Sequence, residues 1–228
     1  MKKLILTLFI AVTFLSCSKS DSPSGLPMSD TPTAKVAYDN SNFGIYKGVF
    51  VGSTGIILID INNSNSISAT LVIDGKNYKY TTTTSVIEGE AINALKFQNG
   101  NSYFDFSVYA NGDYPSVSNF NIENHPNANI QIIKEQSEHL VKCYQGTYTG
   151  STSGTLNLII REDELSGLAK QEGIDNSIEL SGTVTDNIID GLFEEGTFDG
   201  TITGNNITGH WKGTDSSHGG DWTAIRKL

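Results

Sequence analysis

The chain has 228 residues, of which 37 % are hydrophobic and 18 % are Asp, Glu, Lys or Arg, with a formal net charge of −10. A nucleic-acid binder needs a basic face to neutralise phosphates, which this balance argues against, and sparse charge with this apolar content argues against wholesale disorder. The 23 glycines against 5 prolines, with a surplus of Thr, Ser, Asn and Ile, suit short strands joined by tight turns.

Met1, Lys2 and Lys3 precede an uncharged apolar run, Leu4 to Leu15, that stops at Ser16-Cys17. This run is too short to cross a bilayer as a helix, which takes roughly 20 residues, so 1–16 reads as a secretory signal peptide. Its loss removes Lys2 and Lys3 and takes the net charge from −10 to −12. Phe14-Leu15-Ser16-Cys17 resembles the lipobox of bacterial lipoproteins, in which the Cys is diacylated and becomes the new N-terminus. The resemblance implies lipidation at Cys17 and a membrane as the first partner. Residues 18–33 hold three of the five prolines and little that could form a core, so 17–42 is expected to be the lipidated Cys and a flexible tether. Cys17-Ser18-Lys19-Ser20-Asp21-Ser22 is similar to the linkers of Bacteroidota outer-membrane lipoproteins. That implies an outer-membrane lipid anchor, on either the periplasmic or the outer side, made stable by its several acyl chains.

Two β domains are expected next, at 43–140 and 141–228, because the chain repeats itself. Gly44-Ile45-Tyr46-Lys47-Gly48 is echoed by Gly146-Thr147-Tyr148-Thr149-Gly150, an offset of 102. Gly55-Ile56-Ile57-Leu58-Ile59 is echoed from Gly154, and Ser68-Ala69-Thr70-Leu71 by Ser166-Gly167-Leu168-Ala169. This period is too long for a solenoid and points to homologous domains. The second half holds 14 of the 23 glycines and reads as the denser, turn-rich copy.

Period-two alternation gives the strands. Ile67, Ala69, Leu71 and Ile73 share a face, as do Phe104, Phe106, Val108 and Ala110. Further on the same holds for Ile178, Leu180, Gly182 and Val184, then Phe198, Gly200 and Ile202, then Ile207, Gly209 and Trp211. Asp74-Gly75, Asn99-Gly100, Asn111-Gly112 and Thr203-Gly204-Asn205-Asn206 favour hairpin turns. Residues 161–172 read as a turn at Glu162 to Glu164 and then a strand, while 134–141 has room for one or two helical turns. The expected fold is all-β: two tandem antiparallel β-meander domains of seven or eight strands, each a small barrel or sandwich.

Cys143, the only Cys besides Cys17, leaves the mature chain without an intramolecular disulfide and reads as a small buried apolar residue. Asp60-Ile61-Asn62-Asn63-Ser64-Asn65 begins like a calcium loop but lacks Gly at position six and Glu at position twelve. No metal, cofactor or catalytic residue is expected. Gly-x-Ser-x-Gly is absent, and Glu194 and Glu195, being adjacent, point apart and cannot flank one bond as a glycosidase pair. The ligand-binding candidates are His210, Trp211, His218 and Trp222, around one hairpin loop, where two Trp and two His could stack a sugar ring. Alternation puts Trp211 in the core and Trp222 across the hairpin from it.

Gly44-x-Tyr46-x-Gly48 and the run from Gly200-Thr201 to Gly209-His210-Trp211 resemble small lipoproteins of Bacteroidota, with an architecture like lipocalin or avidin barrels. The expectation is a non-enzymatic lipoprotein whose domains bind a partner protein or envelope glycan. The alternative is a carrier of a small apolar or aromatic ligand. What decides between them is whether Phe104, Phe106, Leu156, Phe198 and Trp211 pack the barrels shut.

Overall fold

The computed structural model describes residues 26–126, 128–215 and 217–228; the expected signal peptide and lipidation site at Cys17 lie outside them. The protein is all-β. β1 (Gly44–Val51), β2 (Gly55–Ile61), β3 (Ile67–Ile73), β4 (Lys76–Thr81), β5 (Ile92–Asn99), β6 (Ser102–Val108), β7 (Ser116–Asn121) and β8 (Asn129–Glu135) form one antiparallel sheet. Its order is β7-β6-β5-β4-β3-β2-β1-β8, a meander whose last strand returns beside the first. β9 (Val141–Gly150), β10 (Gly154–Arg161), β11 (Glu164–Gln171), β12 (Ser177–Thr185), β13 (Ile188–Phe193), β14 (Gly196–Thr203), β15 (Asn206–Gly213) and β16 (Gly219–Arg226) repeat that path. Here β16 bonds to both β15 and β9, which closes the barrel. In the first sheet β7 and β8 are not bonded to each other, so it is nearly closed.

Matching ladders relate the halves. Gly48 stands opposite Ile57 and Ile132, and Gly146 opposite Leu156 and Ala224. Gly48 is therefore the counterpart of Gly146, and the fully buried Tyr46 that of Tyr144. The Gly-x-Tyr-x-Gly echo is thus four residues out of register, while the Gly55 and Ser68 echoes agree with the ladder. Glycine recurs four residues apart at Gly44, Gly48 and Gly52 and again at Gly146, Gly150 and Gly154, so a four-residue slip keeps the motif and loses the fold's equivalence.

The hairpins follow from turn chemistry. Asp74 and Gly75 both have positive φ (48° and 77°), as do Asp186 and Asn187 (51° and 68°), which is the two-residue type I′ requirement. Glu162 turns the chain at φ 57°, and the strand expected after it is β11. The helical turn expected within 134–141 is absent. β8 runs to Glu135, Gln136 and His139 form a bridge, and β9 starts at Val141. Side chains hold this short turn: the Asp39 carboxylate accepts from the Ser137 N–H (2.7 Å) and hydroxyl (2.6 Å), and Glu135 accepts from the Val141 N–H (3.1 Å).

From Leu26 on, the segment expected to be a tether lies against both domains. Glu135 accepts from the Thr33 N–H (2.7 Å) and hydroxyl (2.9 Å) and from the Lys47 ammonium, and Arg226 reaches Asp30 (2.8 Å). Glu135 is fully buried, and a buried carboxylate persists only when its oxygens are matched by donors.

Three clusters make the core. The first domain is filled by aromatic rings: Tyr46 meets Phe106 at 4.9 Å, and Phe97 stacks on Phe104 at 5.3 Å. The second domain's interior holds Tyr144, Leu158, Ile189, Phe198 and Trp222. Between the two, Val49, Ile56 and Val72 of the first sheet pack on Val141, Cys143, Ile159 and Leu228 of the second. Asn157 ties this seam, donating to the Phe50 carbonyl (2.6 Å) and accepting from the Thr54 hydroxyl (3.2 Å).

Candidate functional site

In an antiparallel meander every second connection falls at the same end. The β9–β10, β11–β12, β13–β14 and β15–β16 connections therefore gather at one mouth of the closed barrel. Below that mouth lies a cavity of about 410 Å³. Leu156, Ala169, Ile178, Leu180 and Phe198 form its wall, and Trp222 closes it more deeply. Tyr144, Leu158, Leu165, Ile189 and Ile207 are buried within the same barrel.

The wall is hollow because of where its rings lie. Trp222 stands opposite Gly209 in the ladder, and its indole covers both Gly209 and Gly200. A Cβ on Gly209 would come within 2.5 Å of the Trp222 Nε1, and one on Gly200 within 2.6 Å of the ring. Phe198 lies over Gly191 in the same manner, at 2.1 Å. The indole N–H donates to the carbonyls of Asp199 (2.9 Å) and His210 (3.2 Å), which fixes the ring against the wall. A ring laid over glycines belongs to the barrel wall and leaves the lumen free. In the first domain Phe50 lies over Gly55 in the same manner, but Tyr46, Tyr80, Phe97, Phe104 and Phe106 are fully buried beside it in the interior. The glycine-rich half, expected to be the denser copy, holds the cavity described above.

At the mouth the lining becomes aromatic and polar. Trp211 packs edge-on against Tyr148 (5.9 Å) and Phe193 (6.5 Å), and its indole N–H donates to the Thr149 carbonyl (3.0 Å). Thr152, Gln171, Glu195, Thr214, Asp215 and His218 complete the rim. The Asp215 carboxyl is held below its ordinary value, first by the Ser217 N–H (2.9 Å) and then by the Ser217 hydroxyl. His218 Nδ1 stands 3.4 Å from Asp215. Burial raises the Tyr148 phenol above its ordinary value.

Of the four candidates, three converge here: Trp222 deep in the barrel, Trp211 and His218 at its mouth. His210 does not. It points outward and pairs with Asp221 (2.6 Å) on the barrel's outer face, with about three-quarters of each side chain exposed, a setting in which an ion pair contributes little. Trp211 shares the face of Ile207 and Gly209 as alternation requires, but ends half-buried at the rim. Of the other contributors, Glu195 was weighed only as half of a glycosidase pair, and Tyr148, Phe193 and Asp215 were not named as ligand-binding candidates. The signal that would have found them is the rule that alternate loops of a meander share an end.

Among the described residues no group of three or more His, Cys, Asp or Glu is placed to hold a metal ion, and no helix is long and apolar enough to cross a membrane. The Asp60 loop is an Asn-rich turn, with Asn62 and Asn65 at positive φ and the Asp60 carboxylate accepting from the Ser64 N–H (3.2 Å). Comparison with known protein families, with curated proteins and with solved structures returns no match to this chain.

Proposed function

We propose that the chain is a lipid-anchored envelope protein, without catalytic activity, whose C-terminal barrel holds a small apolar or aromatic ligand. The observation that carries the reading is the cavity of about 410 Å³ inside a closed barrel, with apolar walls and a polar rim at one end. Small-molecule sites fall at about 300–1,000 Å³, mostly apolar, with a few placed polar groups. Of the residues set as the criterion, Phe104 and Phe106 are fully buried in the first domain's aromatic core, whereas Leu156, Phe198 and Trp211 line the open space. A glycan platform needs exposed ring faces. Trp222 is only 3 % exposed, which favours the carrier reading over envelope glycan or partner protein.

The test is a titration of the purified protein with the neutral fluorophore N-phenylnaphthylamine, read by its emission and by quenching of Trp211 and Trp222. One saturable site of roughly micromolar affinity is expected. Ala169→Phe, which fills the lumen, should abolish it with the far-ultraviolet circular dichroism unchanged. Binding that is absent, or equal in the filled variant, would overturn the reading.

The anchor rests on Cys17 and the apolar run before it. Cys17→Ser is expected to move the protein from the membrane to the soluble fraction, because the acyl chains contribute about 0.8 kcal/mol per buried methylene. A variant that still sediments with membranes places the anchor elsewhere.

A further inference from the structure

The rim of the cavity specifies what kind of head its ligand carries, an inference that rests on the carrier reading above. Two features meet at that rim. The first is aromatic: Trp211 meets Tyr148 and Phe193 at interplanar angles of 81° and 64°, so three rings set steeply to one another, not stacked, line the opening. An aromatic face carries negative electrostatic potential, and several faces around one point attract an ammonium group while covering its methyl or methylene surface. The second is charge: Glu195 and Asp215 line the same opening, and no Lys or Arg does.

The basic groups nearby are turned away or already engaged, Lys212 lying on the exposed face of β15 that also carries His210. Lys170, on the strand that also carries Ala169, donates its ammonium to the Asp175 carbonyl (2.8 Å). His218 is turned to Asp215 (3.4 Å) and to the Ser217 hydroxyl (3.1 Å). An apolar molecule with a carboxylate head would bring its charge against two carboxylates and the negative faces of three rings, with no cation lining the site to receive it. A neutral one would leave the rim's charge unused. The apolar wall below takes a hydrocarbon or aromatic body.

We infer that the barrel selects an ammonium amphiphile, with its apolar or aromatic body in the lumen and its cationic head among Tyr148, Phe193 and Trp211, facing Glu195 and Asp215. The ligand class is thus a primary or quaternary amine on a body of drug-fragment size.

The experiment titrates the purified protein by calorimetry with three probes that share one body: 4-phenylbutylammonium, 4-phenylbutanol and 4-phenylbutyrate. The expected order is ammonium, then alcohol, then carboxylate. The ammonium should lead the alcohol by about tenfold, and the lead should shrink in about 1 M salt as the rim carboxylates are screened. The double variant Glu195→Gln, Asp215→Asn should lower ammonium affinity by about the same factor and weaken the alcohol far less. Trp211→Leu, which keeps an apolar side chain and removes a ring face, should weaken the ammonium more than the alcohol. An alcohol that binds as tightly as the ammonium, or a carboxylate that binds more tightly, overturns the cationic selection and leaves the carrier reading standing. Failure of all three probes together with N-phenylnaphthylamine removes both.

Discussion

Cys143 is fully buried in the seam between the two domains, with its N–H donating to the Leu228 carbonyl (2.9 Å). Burial, above all, pushes its thiol up to about 12 from an ordinary 9. Below pH 9 the thiol is protonated in both folded and unfolded chains and stability does not depend on it. Above pH 9 the unfolded chain releases the proton and the folded chain keeps it, so this contribution to stability falls as pH rises from 9 toward 12, by up to about 1.4 kcal/mol per pH unit. Urea unfolding at pH 8, 9 and 10 should show a decline that is shallower in Cys143→Ala; equal slopes would place the alkaline loss in other groups. The role of this residue was legible because a lone Cys beside apolar neighbours, without a second ligand, behaves as a small hydrophobe. The candidate ligands were less legible. Alternation gave Trp211 the right face, but whether an inward indole fills the lumen or lies on the wall depends on the neighbouring strand. Gly200 and Gly209 decide that for Trp222.

Alternation made several strands with one solvent face readable, although β4, β13 and β16, which alternate too, were not singled out. β6, β12, β14 and β15 alternate, and their inward sets are those the periodicity selects. β1 is buried along its whole length, and β10 from Leu156 to Ile160, because one face of each lines a barrel interior and the other lies in the seam. A strand buried on both faces has no reason to alternate, so Gly55-Ile56-Ile57-Leu58-Ile59 reads only as an apolar run. The turns divide along similar lines. Asp74-Gly75 carries a recognised hairpin signal, while Asp186-Asn187 reaches the same positive φ angles without glycine, since the short polar side chains of Asp and Asn tolerate that region. Residues 134–141 have room in the sequence for a helical turn or two; the buried carboxylate of Glu135 and the Asp39 bonds to Ser137 hold the chain in a turn instead.

The two domains behave as one body to the extent that the seam holds them. Val49, Ile56, Val72, Val141, Cys143 and Ile159 are withdrawn from water only while the sheets are docked, and the Asn157 side chain finds its partners, the Phe50 carbonyl and the Thr54 hydroxyl, across that boundary. Unfolding of the chain is therefore expected as one calorimetric transition. Val49→Asp introduces an unpaired carboxylate at a fully buried position on the outer face of β1, at a cost of several kcal/mol if it stays buried. Separation of the sheets avoids that cost, so two transitions should appear. A single transition at lower temperature would mean that the domains do not fold independently.

By itself the sequence determined the class of the molecule: all-β, in two copies of an antiparallel meander. This follows from local rules, namely the period of a strand and the φ angles a turn residue accepts. The tertiary structure alone decided that one copy closes and the other does not, that the sheets dock through their outer faces, and that the glycine-rich copy is hollow. Each of these depends on strands distant in sequence: the pairing of β9 with β16, the seam around Asn157, and rings laid across glycines of neighbouring strands. A glycine in a one-dimensional pattern is only a missing side chain. Its ladder partner determines whether the space it leaves is taken by a ring on the wall or is left open for a ligand.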